Sequence, residues 1–150
     1  MKGFTLLEIL LALGIAAVVT VISVTSLSNF NKGKALGIET EKVFSLLTKA
    51  RSLTLAAKDG LSYGVHFEER KAVLFSGVSY SANASTNQIQ LLNDEVKIST
   101  IALTGGGAEV LFKKLSGATD QNGTITLALV RDASKTKIIT VAGTGIAFSN

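Results

Sequence analysis

Lys2-Gly3-Phe4-Thr5-Leu6-Leu7-Glu8 is followed by Ile9-Leu10-Leu11-Ala12-Leu13-Gly14-Ile15-Ala16-Ala17-Val18-Val19-Thr20-Val21-Ile22, and no residue from Ile9 to Asn31 carries a charge. As a helix, the uncharged stretch would cover about 35 Å at ~1.5 Å per residue, enough to cross a hydrocarbon layer of roughly 30 Å. The remainder reads as ordinary water-soluble sequence. The apolar excess of the whole chain, 47% hydrophobic against 17% charged, is therefore local. This pattern predicts either a membrane-anchored domain or a secreted one.

Working outward, composition removes several kinds of chemistry. A length of 150 residues fits one domain with an appended element. Cysteine is absent, which excludes disulfides, thiolate metal sites and cysteine catalysis. A single histidine, His66, rules out His-pair metal sites. Proline is also absent, so long unbroken helices are permitted. The net charge of +4, from 15 basic and 11 acidic residues, is too small by itself to argue for nucleic acid.

Past the apolar segment, Leu36, Val43, Leu47, Ala50, Thr54 and Ala57 recur at helical spacing, with Leu46 and Leu53 beside them. Glu39, Lys42, Lys49 and Ser52 are expected largely elsewhere on the wheel, and Asp59-Gly60 reads as the stop. The period then becomes strand-like. Leu61–Phe67 and Ala72–Ser76 flank the turn Glu68-Glu69-Arg70-Lys71 and predict a hairpin. Residues 77–88 are small and polar, as in an exposed loop. Further strands are expected at Ile89–Leu92, Val96–Leu103, Glu109–Leu115, Gly123–Arg131, Lys137–Ala142 and Ile146–Phe148, together a small antiparallel β-sandwich.

Nothing in this half assembles a reactive site. Gly105-Gly106-Gly107 lacks a following Gly-Lys-Ser/Thr and reads as a turn. His66 alternates between Val65 and Phe67 in a strand, as a structural or surface histidine does. Glu68-Glu69 and Asp94-Glu95 have no ligand spacing and read as solvated carboxylates. Lys113-Lys114 with Arg131, Lys135 and Lys137 forms a candidate basic face without interleaved aromatics. No catalytic residue, metal or cofactor is expected, and the chain is not read as an enzyme.

The apolar segment itself allows three readings. A cleavable secretory signal would use Lys2 and a weak small-x-small site at Val24-Thr25-Ser26, yet the helical pattern runs past that site. A plain anchor leaves Glu8 unexplained, because a carboxylate in an apolar segment costs on the order of a few kcal/mol unless it reaches the headgroups or has a partner. The third reading comes from the ordered string Lys2 to Leu13, which closely resembles the type IV prepilin signature of basic leader, glycine, phenylalanine, Thr-Leu-Leu-Glu and apolar helix.

The resemblance implies that a prepilin peptidase cuts between Gly3 and Phe4, that the new amine of Phe4 is N-methylated, and that the helix later joins a filament core. Gly3 offers the close backbone approach such a cut needs. Glu8 then gains a partner in the Phe4 amine of a neighbouring subunit, and pairing the two charges in a low-dielectric core recovers much of their desolvation cost. Two departures stand out. The leader 1–3 is shorter than most, and the mid-helix proline of many pilins is missing, leaving Gly14, Gly33 and Gly37 as places for bending.

The later pattern resembles the GspH/FimT group of minor pilins and pseudopilins. It consists of the hairpin Tyr63–Phe75 and the closing run Gly123-Thr124-Ile125-Thr126-Leu127, Ile138-Ile139-Thr140-Val141 and Gly143-Thr144-Gly145-Ile146. Where some of that group carry an arginine-bearing C-terminal strand tied to DNA uptake, this chain has Gly145-Ile146-Ala147-Phe148.

The expected fold is thus α+β, a long N-terminal transmembrane and amphipathic helix on a small antiparallel β-sandwich. The expected organisation is leader 1–3, filament-core helix 4–30, amphipathic helix 31–59 and β-domain 60–150. The resemblance implies a structural minor pilin or pseudopilin of a type II secretion or type IV pilus filament. Its implied partners are other pilins, the prepilin peptidase, an inner-membrane assembly platform and the bilayer. It would sit in a bacterial inner membrane with the C-terminal domain outside the cytoplasm, then in an extracytoplasmic filament. The alternative is a competence-type minor pilin binding DNA through the β-domain; nucleic acid is not otherwise expected.

Overall fold

The structure, a computed structural model, describes residues 3–150, with 23–32 described by backbone alone; Met1 and Lys2 of the expected leader lie outside the described residues. Two compact units divide the chain, Met1–Lys34 and Ala35–Asn150, and α1 (Leu6–Leu55) contributes to both.

In the first unit Thr5 starts the helix. The Glu8 N–H donates to Thr5 Oγ1 at 3.3 Å and to Thr5 O at 3.1 Å. Thr5-Leu6-Leu7-Glu8 has the spacing of a capping box, and the helix dipole favours a carboxylate in the first turn. Apolar side chains from Phe4 to Val18 are exposed on every side of the helix. Among the described residues, no helix is long and apolar enough to cross a membrane. Within the first unit the described apolar side chains of α1 run to Ile22, roughly 25 Å along at ~1.5 Å per residue. The last part of the expected span, 23–30, lies outside the residues whose side chains are described. Gly14, Gly33 and Gly37 all lie inside α1.

In the second unit the same helix is one-sided. Leu36, Val43, Leu47, Ala50 and Thr54 are buried in one core with both sheets. Two residues depart from the expected wheel. Ala57 is exposed because the helix has already ended, and it adopts a left-handed φ of 47° before the tight turn Lys58–Gly60. Glu39 is buried, because positions 36, 39/40, 43, 47, 50 and 54 share one helical face. Its Oε1 pairs with Lys42 at 2.8 Å, and its Oε2 has no hydrogen-bond partner.

Eight strands follow: β1 (Tyr63–Glu68), β2 (Lys71–Ser76), β3 (Gln88–Leu91), β4 (Val96–Leu103), β5 (Glu109–Leu111), β6 (Gly123–Leu129), β7 (Thr136–Val141) and β8 (Ala147–Ser149). They form two four-stranded antiparallel sheets, ordered β3-β2-β1-β5 and β4-β6-β7-β8. Alternation sends Val65, Phe67, Ala72 and Leu74 from the first sheet, and Ile125, Leu127, Ile139 and Val141 from the second, into the shared core. At the hairpin tip, Arg70 donates to Asp94 Oδ1 at 2.8 Å and to Val96 O at 3.0 Å, which ties the first sheet to the start of β4. The strand expected over Glu109–Leu115 stops at Leu111, because Lys113 to Gly117 turn back: the Gly117 N–H bonds Lys113 O at 2.9 Å.

One hydroxyl joins helix to sheet. Buried Thr54 Oγ1 donates to Ala50 O at 2.9 Å and accepts the Tyr63 N–H at 2.9 Å. Nearby, the Tyr63 hydroxyl donates to Asp59 Oδ2 at 3.2 Å. Burial first, then that hydrogen bond and the Asp59 charge, push the phenol up. The bond therefore stabilises the fold through the neutral range and is lost only as pH rises through the raised value. Thr54→Val keeps the shape but leaves the Tyr63 N–H buried without an acceptor. Urea denaturation of the full chain should show a loss of about 1–3 kcal/mol; an unchanged midpoint would mean the hydroxyl does not hold this joint.

Candidate functional site

Gly3, Phe4 and Glu8 gather at the start of α1. A Cβ added to Gly3 meets nothing within 4 Å, so the Gly3–Phe4 bond is open to approach. Phe4 is 80% exposed and Glu8 is exposed as well. The site presents an apolar ring beside one carboxylate, with a helix of apolar side chains behind it. Its described residues include no nucleophile–base pair. Among the described residues no group of three His, Asp or Glu side chains is placed to hold a metal ion.

A second cluster of interacting side chains lies on the first sheet, on the face turned from α1. Gly64 pairs with Phe75 across the hairpin, and its missing side chain makes room for the Phe75 ring; a Cβ there would come 2.5 Å from Phe75 Cζ. Val73 and Phe75 are buried on this face, although both lie outside the helix-side core. The 77–88 segment is exposed over most of its length, as expected, but its Tyr80 folds back over part of this face. Tyr80 stacks on His66 with centroids 4.0 Å apart and meets Phe75 edge-on at 5.9 Å, and its N–H bonds Glu109 Oε2 at 3.3 Å. His66 Nδ1 lies 3.8 Å from Glu109 Oε2, and Nε2 lies 4.0 Å from Glu68 Oε1. The signal for this clasp was an aromatic residue, Tyr80, amid small polar ones.

Other singled-out residues are dispersed. Glu68 pairs with Lys71 at 3.1 Å, Glu69 with Lys97 at 3.5 Å and Asp94 with Arg70 at 2.8 Å, so the carboxylate pairs are spent on separate ion pairs. Gly105 and Gly106 take left-handed φ values of 90° and 69° in the turn between β4 and β5. The basic residues fall into two groups. Lys113 and Lys114 precede Thr119, whose N–H bonds Gly143 O at the Gly123/Val141 end of the β6–β7 pair. Arg131, Lys135 and Lys137 lie at the other end, where Ala128 pairs with Thr136, about 20 Å away at ~3.3 Å per strand residue. Ile146 is 47% exposed and Phe148, on the edge strand β8, 57%.

A long helix whose second half shares one core with two antiparallel sheets defines a recognisable class of α+β fold. No protein-family model and no curated protein matches the chain. Among solved structures, it is similar to the crystal structure of the type IV minor pilin FimU from Pseudomonas aeruginosa strain PAO1. The TM-score is 0.58, over 77% of this chain and 92% of that one, at 10% sequence identity. At that identity the likeness is one of fold, and the fold of this chain is pilin-like.

Tyr80→Ala should uncover the outer face of the first sheet. Hydrogen exchange at amides 77–87 should quicken roughly two- to tenfold, the worth of one aromatic pair, while β6 and β7 stay protected. Unchanged exchange would show that the loop is held by something other than Tyr80.

Proposed function

We propose that the chain is a structural subunit of a type IV pilus or type II secretion filament, a minor pilin or pseudopilin of the GspH/FimT kind. The observation that carries this reading is the first part of α1. From Phe4 to Val18 the helix exposes apolar side chains all round, and a helix of that kind is stable only inside lipid or among other apolar helices. The pilin-like fold and the Lys2–Leu13 string support the same reading.

In this account the chain is made as a prepilin and cut between Gly3 and Phe4, and the Phe4 amine is methylated. Segment 4–30 is stored in the inner membrane and later enters the filament core; 31–59 and 60–150 form the extracytoplasmic part. Glu8 pairs with the Phe4 amine of a neighbour and so fixes register. The partners are other pilins, the peptidase and the assembly platform, and the chain carries no catalysis of its own. The DNA-binding alternative would need the two basic groups to act on one ligand from opposite ends of a strand pair, which favours the structural reading.

Glu8→Ala should still be processed and membrane-held, but its incorporation into filaments should fall roughly tenfold or more, since stranding one charge of a desolvated pair costs on the order of 2–5 kcal/mol. Wild-type incorporation in sheared filaments would sink the pairing role. Gly3→Leu should leave the chain uncut on an immunoblot of membranes; normal processing would put the cleavage elsewhere.

A further inference from the structure

The second unit holds a hollow of about 390 Å³ that the filament role does not use. α1 forms one wall, the turn Lys58–Gly60 a second, and β1, β2 and the start of β3 the rest. Its size falls at the small end of the roughly 300–1,000 Å³ usual for ligand clefts. Leu53, Leu61 and Leu74 give it apolar surface, and its other lining residues each carry a polar group.

The hollow carries more positive charge than it pairs. Lys49 Nζ donates to Gln88 Oε1 at 2.7 Å, a neutral acceptor, so the ammonium keeps its charge and two of its three N–H groups. Lys58 makes no ion pair and no side-chain hydrogen bond among the described residues. Asp59 is the one carboxylate in the lining, and its Oδ2 already accepts the Tyr63 hydroxyl at 3.2 Å. Two ammoniums against one carboxylate leave a single positive charge over. Glu41 shares the adjoining groove with Lys49, but it lies about 12 Å away along α1 at ~1.5 Å per residue and forms no ion pair with it.

The uncharged groups offer donors as well. Gln88 gives its carbonyl to Lys49 and keeps its Nε2 hydrogens. Ser76 and Thr86 share one hydrogen bond at 3.0 Å, in which one hydroxyl donates, so the hydrogen of the other is free. The backbone that carries Lys58 is fixed. Gly60 N–H bonds Ala57 O at 2.9 Å, Leu61 N–H bonds Lys58 O at 3.0 Å, and Lys114 Nζ donates to Gly60 O. On either side of Lys58, Ala57 and Asp59 hold left-handed φ values of 47° and 52°. Residues other than glycine that their surroundings keep in this region cluster at ligand clamps.

We propose that this hollow binds a short aliphatic monocarboxylate, with the carboxylate between Lys49 and Lys58 and the hydrocarbon chain on the three leucines. Spare donors with spare positive charge select an anion, and the leucines select an apolar body over a hydrated inorganic ion. A dianion is disfavoured, because Asp59 and the negative C-terminal end of α1, at Leu55, lie beside the same turn. The site lies wholly within Ala35–Asn150 and does not rest on Phe4, Glu8 or the filament role.

Amide chemical shifts of the full chain in a non-ionic detergent, titrated with sodium hexanoate, test this. A ligand of about eight heavy atoms binds at roughly millimolar strength, so saturable shifts are expected at Lys58, Leu61, Thr86 and Gln88 below about 50 mM, and none at Ser134. Lys49→Gln and Lys58→Gln, each folded by circular dichroism, should weaken binding roughly tenfold, whereas Lys58→Arg and Glu8→Ala should bind as wild type does. No saturable shift at these amides, or wild-type affinity in both glutamine variants, would overturn the proposal. Equal affinity for hexanamide would overturn it as well, since the charge would then play no part. Saturable shifts with inorganic phosphate but not with hexanoate would overturn it in favour of an inorganic anion. None of these results bears on Glu8-dependent incorporation into filaments.

Discussion

One face of α1, from Leu36 through Val43, Leu47 and Ala50 to Thr54, shares a single core with both sheets, and the second unit is organised around that burial. Neither sheet supplies a complete core alone: each contributes one apolar face, and the helix contributes a third apolar surface. Thr54 sets the joint, because its hydroxyl serves the helix backbone and the first residue of β1 together. Once that joint is placed, the hairpin, the reach of Arg70 to the start of β4 and the order of strands follow as ordinary antiparallel pairing.

The two parts of α1 solve different problems with one backbone. From Ala35 onward the apolar residues keep to the helical period and the outer face is polar, as a helix needs when its own chain covers one side. From Phe4 to Val18 there is no such period; small and branched apolar residues cover every direction, and the side chains are exposed. A protein that keeps such a surface needs a second environment to cover it. The proposed filament role draws its force from that requirement, and the pilin-like fold is consistent with it.

Much of this was legible because the relevant signals are local. Period-two alternation with Gly, Asn and Asp between runs located the strands within a few residues, and the helical stripe located the buried face of α1. The departures came from tertiary packing. Glu39 is charged, so composition placed it outside, yet its position on the Leu36–Val43 face drew it in, and Lys42 satisfied one of its oxygens. The 77–88 segment is exposed over most of its length, as its small polar residues indicate; what spacing did not show is that Tyr80 stacks on His66 and meets Phe75 edge-on. Leu115 extended an apparent strand because leucine is apolar, whereas the backbone turns there. Lys113-Lys114 and Arg131-Lys137 looked like one basic face, since strand order, which separates them, is not written in spacing.

In the proposed role a cut after Gly3 leaves Phe4 as the first residue and keeps α1 in the mature chain. An intact mass of the chain purified from its native membrane tests that directly. The account predicts a chain that begins at N-methylated Phe4 and keeps the whole of α1. A chain still carrying Met1, or one beginning near Leu27 after removal of the apolar segment, would contradict it.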